Sequence, residues 1–171
     1  KRQNYLEKIR TAGNRLREMM QDILCLTHAD SGKLVNRPRL INLKVLCEEI
    51  ISDLQFGLGK NHQFVLKMGN FEDHFPQHQV YLDEKMSRYI ISNLLSNAVK
   101  YSQPRSQVTL SLMIHHQNLS LQVTAQGMGI PPEAQNRIFD SFYRAKNAEH
   151  ITGSGLGLNI VQKYVELHGG K

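Results

Sequence analysis

No apolar run in the chain approaches the roughly 18 residues that a membrane-spanning helix requires. The opening decapeptide, KRQNYLEKIR, also lacks the apolar stretch of a signal peptide. Both absences predict a soluble piece in the cytoplasm without membrane contact of its own, and leave the membrane status of any longer parent open. Cysteine is scarce: Cys25 and Cys47 are the only two, in apolar helical contexts and without CxxC spacing. A disulfide framework is excluded, and reduced, buried thiols are expected. The eight histidines show no metal-site spacing. Pro76 lies between His74 and His78, so those two do not share a helix face. His115 and His116 are adjacent and would point to opposite faces of a strand. Neither sign of charge dominates, with 21 Lys and Arg against 15 Asp and Glu. The excess is mildly concentrated near the start (Lys1, Arg2, Lys8, Arg10, Arg15, Arg17) and is not interleaved with aromatics. A single-strand nucleic-acid channel is therefore not expected, and an anionic small ligand or an acidic protein partner accounts for the excess as well. Internal repeats are also missing. The 171 residues, 40% of them hydrophobic, suffice for one real core with a small appendage.

Residues 1 to about 30 read as one long amphipathic helix. Tyr5, Ile9, Ala12, Leu16, Met19, Ile23 and Leu26 recur every three or four residues. A stripe of this length calls for another helix along it. Gly32 suits the left-handed closing position, and the polar stretch containing Pro38 reads as a hinge. Asn42 can cap a helix through Leu46, Ile50 and Leu54 that stops near Gly57 and Gly59. Strands are expected at His62–Lys67 and Gln79–Leu82. Asp83 can cap a second helix with Met86, Ile90, Leu94 and Val99 in its core face. Alternation at Val108, Leu110, Leu112 and again at Leu119, Leu121, Val123 predicts an antiparallel strand pair. A glycine-rich turn, a short helix begun by Pro131-Pro132, a polar segment, a second glycine-rich turn and a helix to about His168 complete the chain. The pattern predicts helices on one face of a mixed sheet.

Three local patterns carry chemistry. Asn93, Asn97 and Lys100 fall at i, i+4 and i+7 of the second helix and share a face. Such a row suits a metal-bound phosphate chain, although asparagines there can also bond neighbouring backbone or face solvent. Gly127-Met128-Gly129-Ile130 follows a strand, where glycine allows positive φ and close approach of a planar ligand. Gly153-Ser154-Gly155-Leu156-Gly157-Leu158 opens the last helix, where exposed N–H groups make an anion site. It is neither a dinucleotide-binding fingerprint nor a Walker loop, because the spacing is GxGxG, no strand precedes it and no GKS or GKT follows.

In this order, NLLSNAVKY, GMGI, FDSFYR (with Phe139, Phe142, Tyr143 and Arg144) and GSGLGL resemble the N, G1, F and G2 boxes of sensor histidine kinases from two-component systems. The ending VELHGG looks like the same family. The resemblance implies a Bergerat-type α+β ATP-binding fold of the gyrase, Hsp90, histidine kinase and MutL superfamily. Residues 1–33 resemble the second helix of a dimerisation and phosphotransfer hairpin without its first helix. By that likeness 34–40 are a linker, and 41–171 a catalytic domain stopping where a closing strand is expected. ATP and Mg²⁺ are the implied ligands. Asn97 would ligand the metal with Asn93 nearby, Lys100 would meet phosphate oxygens, and Tyr101 would border the nucleotide. Position 125, Gly127, Gly129 and Ile130 would form the adenine end. Arg144 would reach the terminal phosphate, 145–152 would be a lid, and Gly153, Gly155, Leu156 and Gly157 would close over the triphosphate. A homodimer through the hairpin helices and a response-regulator receiver domain are the implied partners.

Two departures from the family pattern stand out. Ala125 occupies the place of the G1-box aspartate that accepts from the adenine amino group, so weakened nucleotide binding is expected, whether by engineering or in a natural pseudokinase acting through protein contacts. No H-E/D-x-x-T/N motif is present, so the phosphoacceptor histidine is expected to lie outside this chain, and His28 is not a substitute.

Overall fold

In the computed structural model, residues 2–71, 76–116 and 118–171 are described; His74 lies outside them. The first element is α1 (Arg2–Asp30), followed by β1 (Arg39–Asn42), α2 (Leu43–Phe56), β2 (Gln63–Gly69), β3 (Gln79–Leu82), α3 (Glu84–Tyr101), β4 (Gln107–His115), β5 (Asn118–Ala125), the short α4 (Pro132–Gln135) and α5 (Gly157–Leu167). The fold is α+β, with helices against a mixed sheet. No helix among the described residues is long and apolar enough to cross a membrane.

The expected caps form. The side chain of Asn42 accepts from the Val45 N–H at 3.1 Å and starts α2, and that of Asp83 accepts from the Met86 N–H at 3.1 Å and starts α3. Strands β2 and β4 pair in parallel, Phe64 opposite Val108, because β3 and α3 form the crossover between them. Strands β4 and β5 are an antiparallel hairpin with Val108 opposite Ala125. Val108, Leu110, Leu112 and Ile114 alternate inward from β4 and pack with Leu46, Cys47 and Ile50 of α2 and Ile91, Leu95 and Val99 of α3. Thus α2 and α3 share one face of this sheet. In α3 the core face runs through Met86, Ile91, Leu95 and Val99, so Ile90 and Leu94 sit beside it and are only half-buried.

Strand β1 has no signature of its own. Its four residues pair antiparallel with β3, Ile41 opposite Val80, as a separate two-stranded ribbon. His115 and His116 do not take opposite faces of one strand as expected: β4 ends at His115, and His116 takes a φ of 56° in the turn. Gly32 takes the expected positive φ, 66°, after α1.

Helix α1 docks on α5 near its C-terminal end, and of its apolar stripe only Leu26 is half-buried there while the rest stays exposed. Asp22, Cys25, Leu26 and Ala29 are half-buried, whereas Tyr5, Ile9, Leu16 and Ile23 remain 66%, 68%, 60% and 45% exposed. The segment after it is tied at two points. The Asn36 side-chain amide donates to the Leu167 carbonyl at 3.0 Å, and the Arg37 N–H donates to Asp83 at 3.0 Å.

Asp83 therefore joins three pieces. Burial alone would raise its carboxyl pKa, but the backbone N–H groups of Arg37, Met86 and Lys85, with His168 nearby, outweigh that and hold it below its ordinary value. Its own N–H donates to His168 Nε2 at 3.2 Å, while His168 Nδ1 lies 2.7 Å from the Tyr164 carbonyl. Asp83→Ala should lower the unfolding free energy by about 1 kcal/mol or more in urea titrations. The depressed folded value means this stabilisation is complete above the ordinary aspartate range and is lost as pH falls through the folded pKa. Asp83→Asn, which can still cap, should flatten that acid limb.

Candidate functional site

Asn93, Asn97, Lys100 and Tyr101 line one wall of an open cleft of about 2020 Å³, and Ala125, Gly127, Gly129 and Ile130 line a second. Arg144, Gly153, Gly155 and Gly157 close it on the far side. Twelve of the thirteen positions singled out in the sequence thus meet in one space. The exception is Leu156, whose side chain is fully buried and anchors the turn from below. It is not part of the wall.

The amide row is internally ordered. Asn97 Nδ2 donates to Asn93 Oδ1 at 3.0 Å, which orients the Asn97 carbonyl oxygen away from its neighbour. That oxygen accepts no hydrogen bond among the described residues and is of the hard type that Mg²⁺ prefers. Lys100, half-buried in the last turn of α3, forms no ion pair among the described residues.

Opposite this row, α5 starts without a side-chain cap. Its first N–H groups therefore carry the unmatched positive end of the helix, in the same cleft as Lys100. The glycines of this turn serve packing as well as ligand access. Gly155 has a φ of 73°, and its carbonyl accepts from the Phe142 N–H at 3.0 Å. A Cβ on Gly157 would lie 2.2 Å from Asn93 Nδ2, so α3 and the start of α5 touch only because residue 157 has no side chain.

At the other end β5 delivers Ala125 on its core-facing side, among Leu119, Leu121 and Val123. Gly127 bridges to Ser102, and the Met128 N–H donates to the Tyr101 carbonyl at 3.1 Å, which pins the turn to the end of α3. The methyl of Ala125 offers no acceptor there.

Arg144 points into its own segment. Its guanidinium donates to the carbonyls of Ala148 at 2.7 Å, Glu149 at 3.0 Å and Ile151, while its Nε is buried without a partner. The expected reach toward a phosphate is thus taken up by the segment 145–152. Asn147 also donates to the Gly129 carbonyl at 3.2 Å, tying that segment to the first glycine turn.

Arg10, Met19 and Asp22 of α1 also line the cleft, together with Tyr89 and Ser154. Sequence reasoning did not place the three α1 residues here, because only long-range docking of α1 brings them in. The Tyr89 hydroxyl donates to Asp22 at 2.8 Å, and Cys25 donates to the Tyr164 hydroxyl at 3.0 Å. Burial first, and then the Asp22 charge, push the Tyr89 phenol above its usual value, so it stays a donor. Burial also raises the Cys25 thiol above its ordinary value, and that of Cys47 to about 12. His28, at the end of α1, lies away from the cleft lining. No group of three His, Cys, Asp or Glu side chains gathers into a metal site among the described residues.

The family model "Histidine kinase-, DNA gyrase B-, and HSP90-like ATPase" matches residues 82–171, just over half the chain. The circadian input-output histidine kinase CikA of Synechococcus elongatus is 33% identical over 99% of this chain and 22% of its own length. The adaptive-response sensory kinase SasA of Gloeothece citriformis is 33% identical over 91% of this chain and 39% of its own. The chain thus spans about a fifth to two fifths of these curated relatives. Full-length ShkA in complex with AMPPNP superposes with a TM-score of 0.79 at 22% identity, over 98% of this chain and 34% of that one, a likeness of fold.

The contact between Gly157 and Asn93 is testable without any ligand. Gly157→Ala should push the Asn93 amide aside, break its bond to Asn97 and cost about 1–3 kcal/mol in urea unfolding. Asn93→Ala in the same chain should recover part of that loss, and strict additivity of the two changes would show that the contact carries no energy.

Proposed function

The chain belongs to the histidine kinase-, DNA gyrase B- and HSP90-like ATPase family, as a histidine-kinase ATP-binding catalytic domain, and from that premise we propose that its cleft binds Mg-ATP for transfer of the γ-phosphoryl group to a histidine on another helix. The observation that carries this is the meeting of the α3 row, Asn93, Asn97 and Lys100, with the uncapped start of α5 across one cleft. A hard cation seat, a mobile cation and a fixed field of N–H donors are what a metal-bound triphosphate requires.

In this reading each residue has a defined task. The Asn97 carbonyl oxygen would hold the metal, and Asn93 fixes the rotamer of Asn97 through their bond. A bound Mg²⁺ would supply charge neutralisation on the phosphates. Lys100 meets phosphate oxygens as a point charge, and the N–H groups of Gly157 and Leu158 receive the anion. Tyr101 borders the nucleotide, with Gly127, Gly129 and Ile130 at the base. Arg144 must exchange at least one of its bonds to lid carbonyls for phosphate contact, so the segment 145–152 reorders when the site fills. Transfer then rests on positioning and charge: the bond from the γ-phosphorus to its bridging oxygen breaks, one to an imidazole nitrogen forms, and ADP leaves.

Residues 1–33 act as a hairpin helix, with 34–40 as linker and 41–171 as the catalytic unit. The exposed stripe on α1 is the dimerising face, and a response-regulator receiver is the onward partner. Use of ATP places the domain in the cytoplasm. A second reading, a pseudokinase working through protein contacts, draws on Ala125, since an adenine amino group facing a methyl stays unpaired. A water-activating ATPase of the Hsp90 or MutL kind is disfavoured, because residue 93 is Asn rather than Glu.

Ala125→Asp should tighten Mg-ATP at least about ten-fold in calorimetry, since restoring one buried acceptor is worth about 1–3 kcal/mol. Equal affinities would mean that other groups read the adenine. With or without that change, the chain should not label itself with acid-labile phosphate, and such label on His28 would overturn the placement of residues 1–33.

The stripe Tyr5, Ile9, Leu16, Ile23 and Leu26 should drive self-association, because all of it except the half-buried Leu26 remains exposed. In sedimentation, a chain starting at Lys33 should be monomeric and keep a cooperative melt. Loss of that melt would mean that residues 1–33 and the catalytic unit are not separable.

A further inference from the structure

We infer that Asp22 sets the nucleotide affinity of the cleft, because its carboxylate latches α1 onto the glycine turn at the start of α5 in a way that a bound phosphate chain opposes. The inference rests on the Mg-ATP reading and adds to it a residue on a different part of the chain.

Asp22 accepts from two hydroxyls, that of Tyr89 on α3 at 2.8 Å and that of Ser154 in the glycine turn at 3.3 Å. Ser154 Oγ in turn accepts from the Leu156 N–H at 3.3 Å. The carboxylate is therefore one side chain removed from the turn whose following N–H groups form the anion site, and it lines the same cleft as Asn97 and Lys100. One helical turn further along, Cys25 bonds Tyr164 of α5, and Tyr89 and Tyr164 meet edge to face at 5.3 Å. These contacts make up a short seam in the last third of α1, while the stripe before it stays in solvent.

Two consequences follow from charge and geometry. An anion at the start of α5 would share the cleft with a second anion, Asp22, and like charges there repel. Ser154 cannot turn its hydroxyl proton to a phosphate oxygen while it donates to Asp22. Nucleotide binding and docking of α1 therefore weaken each other, and by linkage the coupling is reciprocal. The position of α1 becomes a control on the site, transmitted through one carboxylate.

The two cysteines give a direct readout. Cys25 takes part in the seam, whereas Cys47 has no exposed surface and serves as an internal blank. The full chain carrying Ala125→Asp, with and without Asp22→Asn, is titrated with Mg-ATP by calorimetry. Alkylation of Cys25 is timed in parallel with Mg-ATP, with adenosine or with neither. Asp22→Asn preserves the shape of the side chain and removes its charge, so it should tighten Mg-ATP at least about five-fold and leave adenosine unchanged. Mg-ATP should speed alkylation of Cys25 several-fold and adenosine should not. Asp22→Ala should speed it without any nucleotide. If Mg-ATP binds with the same affinity to both chains and leaves the alkylation rate unchanged, the latch is overturned while the nucleotide reading stands. If Mg-ATP binds to none of the chains, the nucleotide reading falls and the coupling with it. Unchanged alkylation in Asp22→Ala would show that this residue does not hold α1.

Discussion

Leu95 has no exposed surface, and the geometry of the cleft depends on that burial. Together with Ile91 and Val99 it packs α3 against Leu110 and Leu112 of β4. At 3.6 residues per turn, positions two apart lie about 200° apart, so Asn93 and Asn97 are carried on the side away from Leu95. Burying a leucine contributes about 1.5–3 kcal/mol, and several such side chains in register leave the helix one rotation about its axis. The amides are aimed by that rotation. The two ends are fixed separately, by Asp83 at the start of α3 and by the Met128 N–H on the Tyr101 carbonyl at its end. A row of polar side chains is thus held in place by groups that never face the cleft.

What the sequence made legible is local. Caps at Asn42 and Asp83, the alternation in β4 and β5 and the glycine turns each depend on residues a few positions apart, and each forms where expected. What it left unread depends on distant partners. Strand β1 exists because β3 supplies its hydrogen bonds, and four residues carry no period. The docked face of α1 could not be chosen in advance, because its contacts are made by Asp22 and Cys25 at one end, while most of the apolar stripe stays exposed. Arg144 was legible as a cation near a phosphate site, but its capture by lid carbonyls needs the path of residues 146–151. Leu156 belonged to the right motif and the wrong layer: the glycines beside it face the cleft because it is buried beneath them.

The glycine turn shows how one residue type can answer two demands. Contact between α5 and α3 requires a missing Cβ at 157, and in the proposed reading the same opening admits an anion. The same economy holds at Gly155, where positive φ and the approach of the Phe142 backbone coincide. A motif read only as a phosphate loop would miss that it also joins α5 to α3 and to the segment before it.

Two of the side chains nearest the proposed triphosphate are already engaged, whereas Lys100, the Asn97 carbonyl and the first N–H groups of α5 are open. Arg144 holds three carbonyls, and Ser154 holds Asp22. Affinity is then a difference, the bonds made to phosphate less the bonds given up, and a hydrogen bond exchanged for another of its kind contributes little net free energy. At the opposite end Ala125 brings no acceptor to set against the loss of water by an adenine amino group. Both ends therefore lower affinity by independent means, one through what the site already holds and the other through what it lacks. The first is reversible, since it depends on where α1 and the segment 145–152 lie, and the second is fixed in the sequence. In this reading, a domain with that combination responds to movement of its preceding helix more than to nucleotide concentration, because only the reversible part of the penalty can be relieved.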